Sequence, residues 1–243
     1  MTSSLKTNLI EPSTGTALTM GQTGQNVLVG GDSIAANTFK DAGGNTLFTS
    51  NGSGVLSSVN AGLGSSQALL STTTISSGVA NVSITSGLTS TFTQYDFEFF
   101  TMHPASDQAS FQWQVSTDGG SSYGISIRST AFWVYEADAG SASTFQFSTQ
   151  LTLQDSTNYQ NFSYLTGNED NKCCAGKLTL FNPAGTTYVK NFVARSHNYE
   201  HQNTSVDALI AGYVNSTSDI DAIRFQFSTG NIDAGTIKMY GIK

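Results

Sequence analysis

From Tyr95 to the C-terminus the chain alternates apolar and polar residues in short runs. Tyr95, Phe97 and Phe99 alternate with Asp96 and Glu98, and Phe111, Trp113 and Val115 with Gln112 and Gln114. Ile125 and Ile127 lead into Phe132–Tyr135. Phe145, Phe147, Leu151 and Leu153 alternate with Gln146, Ser148, Thr152 and Gln154. Leu178 and Leu180 follow, then Tyr188–Tyr199 and Ala208–Val214. Ile223, Phe225 and Phe227 alternate with Arg224 and Gln226, and Ile237 and Met239 with Lys238 and Tyr240. A period of two puts one set of side chains in a core and the other in water. Val79–Ile84 reads as an earlier strand. Gly-rich turns such as Asp118-Gly119-Gly120-Ser121 and Ser228-Thr229-Gly230-Asn231 separate the runs. About ten short antiparallel strands without a helical stretch predict an all-β fold, an antiparallel β-sandwich of jelly-roll type, over residues 73–243.

The preceding residues differ in texture. Only Phe39 and Phe48, of 26 aromatic residues, lie before residue 92. Residues 1–28 contain Leu9-Ile10, Pro12 and an alternating Leu18/Met20 pair, which suggests two short strands around a turn. Across 29–72, turn clusters separate small apolar steps at Ile34, Phe39, Leu47, Phe48, Val55 and Leu56. Such steps are too short for an independent sheet. A flexible linker is the plain alternative, but linkers have little use for two phenylalanines. The expected organisation is therefore an N-terminal segment 1–28, a Gly/Ser/Thr-rich stem 29–72 and a head 73–243. The stem must borrow burial, and another copy of itself is the simplest source; three copies about an axis would cluster those six residues.

Composition narrows the function. Only 11% of residues are charged, against the usual ~25%, while 64 of 243 are Ser or Thr. Hydroxyls and amides suit exposed strand faces and make poor helix surfaces. The net charge of −7, with three arginines and no basic run, argues against a nucleic-acid surface. The N-terminus lacks the apolar core of a signal peptide, and no apolar run approaches a membrane span. Cys173 and Cys174 are adjacent, a spacing that disfavours a mutual disulfide and suggests free thiols. Two cysteines without a second pair do not make a zinc site.

Several constellations could carry chemistry. His197 and His201 are four apart, but on a strand they sit about 13 Å apart, too far to share one ion. Asp96 and Glu98 lie on one strand face about 7 Å apart, a separation open to a glycosidase pair; the plain reading is that both face water. Asp219, Asp221 and Asp233, or Glu169 and Asp170 with Asn168 and Asn171, could ligate calcium from loops, though no calcium-loop spacing is matched and solvated loop groups are the plainer reading. No catalytic residue, metal site or cofactor is assigned. Exposed aromatics are the better lead, because sugar rings stack on flat aromatic faces while amides bind their hydroxyls. Trp133 and Tyr135 share one strand face, opposite Phe132 and Val134, and one of the two pairs must face the core. Trp133 and Tyr135, with Tyr199 as a third, are the candidate ligand-binding residues; Tyr123, Tyr159 and Tyr164 lie in or near loops.

The closing segment Ile220-Asp-Ala-Ile-Arg-Phe-Gln-Phe-Ser-Thr-Gly-Asn-Ile-Asp-Ala-Gly-Thr-Ile-Lys-Met-Tyr-Gly-Ile-Lys243 resembles the closing strands of head domains in structural proteins of marine tailed phages, including cyanophages. Leu5-Lys-Thr-Asn-Leu-Ile-Glu-Pro12 and Tyr95–Val115 resemble the same group. The resemblance implies a virion component, assembled in the host cytoplasm, whose N-terminal part docks to other virion proteins and whose distal head is often trimeric. The expected function is a non-enzymatic homotrimeric tail fibre or spike, with a head that recognises host-surface glycan. The rivals are a capsid or tail decoration or adaptor protein and a glycan-depolymerising tailspike.

Overall fold

A computed structural model of the chain describes residues 38–243, apart from 42, 51–52, 54–55, 60–65, 139 and 141–142. The chain divides into two compact units, Met1–Leu63 and Gly64–Lys243. Among the described residues every regular element is a strand.

In the first unit, β1 (Thr38–Lys40), β2 (Thr46–Ser50) and β3 (Leu56–Val59) form a three-stranded antiparallel sheet in sequence order. Asp41 accepts a hydrogen bond from the Asn45 amide (2.8 Å), which closes the β1–β2 turn. Phe39 pairs with Phe48 across the strands, the rings stacked at 4.5 Å. Phe39, Leu47 and Phe48 are half-buried and Leu56 is exposed. The segment 1–28, Ile34 and Val55 lie outside the described residues.

The second unit is an antiparallel β-sandwich with unequal layers. One layer has eight strands in the order β4-β15-β6-β11-β12-β13-β8-β9. These are β4 (Gln67–Ile75), β15 (Ile232–Ile242), β6 (Gln94–Pro104), β11 (Cys174–Phe181), β12 (Lys190–Glu200), β13 (Thr204–Val214), β8 (Ile127–Ala137) and β9 (Ser143–Phe147). The other layer has four, β10 (Gln160–Asn161), β7 (Phe111–Ser116), β14 (Ala222–Phe227) and β5 (Val82–Ile84), in that order. The alternating residues meet between them: Phe97 and Phe99 of the large sheet lie 5.5 and 5.1 Å, ring to ring, from Phe225 of the small one. Trp113 packs edge-on against Phe192 at 4.8 Å.

Besides small shifts of bounds, such as β13 starting at Thr204 and not at Ala208, three strand readings change. The sheet begins before residue 73, because β4 pairs along β15 from Gln67. The second half of this edge strand is a run of four Ser and Thr residues, and only Leu70 and Ile75 join the core, so apolar alternation does not mark it. Val79 makes a lone bridge to Ile232, and the strand expected over Val79–Ile84 shortens to Val82–Ile84. The strand expected to run through Leu151 and Leu153 stops at Phe147. There the Ser148 amide bonds to Ala131 O and the Ser148 hydroxyl accepts from the Leu151 amide, so the chain turns and buries Leu151 from a loop.

A β-bulge between Cys174 and Gly176 lets β11 stay paired with β6. Gly176 has φ +147, and a Cβ there would lie 2.2 Å from the Arg195 carbonyl oxygen, so no side chain fits. Asp96, expected to face water, is fully buried on the outer face of the large sheet. Its Oδ1 accepts from Gln94 Nε2 (3.0 Å) and Thr179 Oγ1 (2.8 Å), and its Oδ2 pairs with Lys177 Nζ.

Candidate functional site: an aromatic cleft

The large sheet extends beyond the small one at its β8–β9 end. There the second layer is built from loops, held on by a few strong polar contacts. Gln160 is fully buried and donates to Leu151 O (2.7 Å), while Ser129 Oγ donates to Gln160 Oε1 (2.7 Å). Gln114, also fully buried, donates from Nε2 to Ile125 O, Thr157 O and Asn158 O at 3.0–3.2 Å. Asn198 grips the backbone of Tyr164, accepting from its amide (3.3 Å) and donating to its carbonyl (2.8 Å). These bonds satisfy buried loop backbone that the strand ladder cannot reach.

Between sheet and loops lies a cleft of about 280 Å³, at the small end of the ~300–1,000 Å³ usual for ligand pockets. Its floor comes from adjacent strands. Trp133 and Tyr135 on β8 pair with Gln146 and Thr144 on β9, and with Ala208 and Val206 on β13. Tyr164, Gln146, Gln150, Gln202, Thr204, Val206 and Glu200 complete the lining. Trp133 meets Tyr164 edge-to-face at 4.7 Å and Tyr135 at 6.2 Å, so three aromatic rings bound one concavity. The Trp133 indole N–H is buried without a hydrogen-bond partner. Glu200 ends β12, where its Oε2 accepts from the Gln202 amide (2.7 Å) and its Oε1 lies against His201 Nδ1. Lys172 donates to His201 O (2.8 Å) and to Glu169 (2.9 Å), which fixes the turn carrying Gln202.

The arrangement can bind a small, mostly neutral ligand. Aromatic rings offer apolar contact, while three amides and the hydroxyl-bearing Tyr135, Tyr164 and Thr204 offer hydrogen bonds. Among the described residues of the lining Glu200 is the one acid, and there is no Lys or Arg. Glycoside cleavage ordinarily uses two carboxyl groups flanking the bond.

Of the three sequence-predicted residues, Trp133 and Tyr135 come together here and Tyr199 does not. Trp133 was expected to be exposed; it is 6% accessible and forms the back wall, because its strand face is the core face. The exposed pair is Phe132 and Val134. Tyr199 lies on the opposite sheet face, where its hydroxyl contacts Asp138, and the Asp138 hydrogen bond holds that phenol above its usual pKa. Of the other loop tyrosines, Tyr123 lies under the Arg224 guanidinium (3.9 Å) and Tyr159 lines a separate groove. Sequence reasoning missed the cleft role of Tyr164, of the glutamines and of Glu200. Their only signal is an amide-rich, aromatic composition near Trp133, since Tyr164 and Gln150 lie in loops with no periodicity.

The remaining constellations are dispersed. His197 bonds to Ser205 Oγ (2.9 Å) on the outer face while His201 sits beside Glu200. Asp221 accepts from the Gly119 amide, Glu169 pairs with Lys172, and Asp233 with His103. Among the described residues no group of three or more His, Cys, Asp or Glu side chains is placed to hold a metal ion. Cys173 and Cys174 are free thiols; burial pushes Cys174 up to about 12 and raises Cys173. No family model, curated protein or solved structure matches the chain.

Proposed function

We propose that the chain is a non-enzymatic virion component of a tailed phage, a homotrimeric tail fibre or spike whose β-sandwich head recognises host-surface glycan through the Trp133 cleft. The observation that carries the recognition role is the convergence of Trp133, Tyr135 and Tyr164 with Gln146, Gln150 and Gln202 around one small concavity. Rings and amides in that combination suit a sugar, with an apolar face to stack and hydroxyls to bond. A lining without Lys or Arg favours a neutral glycan over a sulfated or carboxylated one. A single acid in the cleft favours binding over cleavage. The assignment to a virion rests on the resemblance of the closing strands, and the trimer on the sparse apolar residues of the stem.

The test uses purified full-length chain and purified host surface polysaccharide. The chain should bind the polysaccharide without shortening it and should compete with particles for adsorption. Adsorption unaffected by a large excess of folded chain would remove the receptor role. Particles lacking the head that adsorb normally but rupture on heating would establish the decoration role instead. Progressive loss of polymer length would establish the depolymerase.

A further inference from the structure

The outer face of the large sheet carries a feature that the cleft does not use. At the β8–β9 end, Phe132 is opposite Phe147 and Val134 opposite Phe145; Leu209 on β13 adjoins Phe132, and Val193 on β12 is diagonal to Leu209. These six side chains are between 43% and 67% exposed. Phe132 and Phe145 lie nearly parallel, 7° between ring planes and 5.9 Å apart, while Phe147 meets Phe132 edge-on at 6.2 Å, so the three rings form one contiguous cluster. Half-exposure of six such groups leaves roughly 500 Å² of apolar surface, at the upper end of the largest patches on typical monomers. The outer face of an antiparallel sheet is ordinarily polar. Elsewhere this one mixes ion pairs with single apolar groups: Lys177 pairs with Asp96, Lys238 lies over Phe100, and Leu69 and Phe181 stand apart from one another on separate strands.

The patch also reaches a sheet edge. Among the described strands β9 is the terminal one of its sheet, and its sequence, Ser143-Thr-Phe-Gln-Phe147, has neither a charge nor a proline. Natural edges are usually protected by one or the other, because unpaired backbone groups recruit further strands.

We propose that this face of the head docks onto the head of a second copy of the chain. Two patches of this size together contribute roughly 1,000 Å², the area at which specific interfaces begin. The charges at the margin neutralise each other: Arg195 and Asp207, next to Leu209 and Val134 respectively, are bonded to one another by two hydrogen bonds. Two copies of this surface therefore meet without like-charge repulsion. A strongly acidic or basic partner finds no net charge here to match. The contact is independent of the stem, so heads meet whether or not residues 29–72 hold the chains together.

The test places a photo-reactive benzoylphenylalanine at Phe145 in the full-length chain, with isotopically heavy and light chains mixed. Irradiation should give products of two or more chain masses, with mixed-isotope peptides joining residue 145 to β8, β9 or β13. The same probe at Tyr188, 78% exposed and off the patch, should give at least tenfold less. Products confined to single chains, including links to residues 1–63, overturn the proposal. So does equal crosslinking from both positions, or a chain that sediments as a monomer throughout the micromolar range. In intact particles, crosslinks from residue 145 to a different polypeptide alone also overturn it.

Discussion

Trp133 and Tyr135 share one strand face and one cleft, yet their removal should have separable consequences. Trp133 is nearly fully buried and meets both Tyr135 and Tyr164. A buried Trp withdraws about 150–250 Å² from water, which at ~25 cal/mol per Å² corresponds to about 4–6 kcal/mol. Truncating such a residue costs ~3–5 kcal/mol. The adjoining cleft lets water into the space left behind, so the lower end applies, about 3 kcal/mol. For a domain of this size each kcal/mol lowers Tm by ~2–4 °C, so Trp133→Ala should melt about 6–12 °C earlier. Tyr135 is half-buried at the mouth, and Tyr135→Ala should cost only about 1 kcal/mol, the lower part of the range for an incompletely buried side chain. If the cleft binds glycan, Tyr135→Ala should still weaken binding at least ~30-fold, the effect of losing a hot-spot side chain worth ~2 kcal/mol. Thermal melts of both variants, with calorimetric titration of host polysaccharide fragments at low and high salt, separate the two roles. Binding should change little with salt, since a neutral ligand offers no charge to screen. Unchanged affinity in a well-folded Tyr135→Ala chain would refute the binding assignment. A Trp133→Ala chain melting within 2 °C of the parent would refute the packing argument.

Phe225, fully buried against Phe97, Phe99 and Phe111, should lose ~3–5 kcal/mol of stability on change to Ala, read from denaturant unfolding. Lys177→Met leaves the buried Asp96 carboxylate with bonds to one oxygen only. It should destabilise by about 3 kcal/mol, the low end for breaking a buried pair, because Lys177 itself is half-exposed; restoration by a second change, Asp96→Asn, would trace the loss to the stranded charge. Hydrogen bonds from the Ser116 and Ser122 hydroxyls and the Ser122 amide lower the Asp118 pKa to about 2. Its contribution to the 116–122 turn is therefore complete above the ordinary carboxylate value and lost as pH falls through about 2. The Ser122 amide resonance should shift with that midpoint, and a midpoint near 4 would show that the turn does not hold the charge.

Alternation along the chain was enough to identify most strands of the head, because each half-buried strand writes its two faces into the sequence with a period of two. It determined the all-β class and the inward set Tyr95, Phe97, Phe99, Phe111, Trp113 and Phe225. It could not choose between the two faces of β8, since Trp133/Tyr135 and Phe132/Val134 are equally apolar. That choice depends on which side the second layer occupies. Nor could it reveal β4, whose hydroxyl-rich residues are held by backbone pairing to β15, or the turn at Ser148, which rests on one hydroxyl and a long-range bond to Ala131. Asp96 was read as solvated because its partner Lys177 is distant in sequence and arrives only through the β6–β11 pairing. The cleft is likewise tertiary. Trp133 and Tyr135 were legible as a pair, but Tyr164, Gln150 and Glu200 reach them from two loops and from the end of β12, which lies two strands away. Local pattern reports which side chains lie together on one strand, whereas a concave site needs groups from several, and only the packed sheet and its loops bring those together.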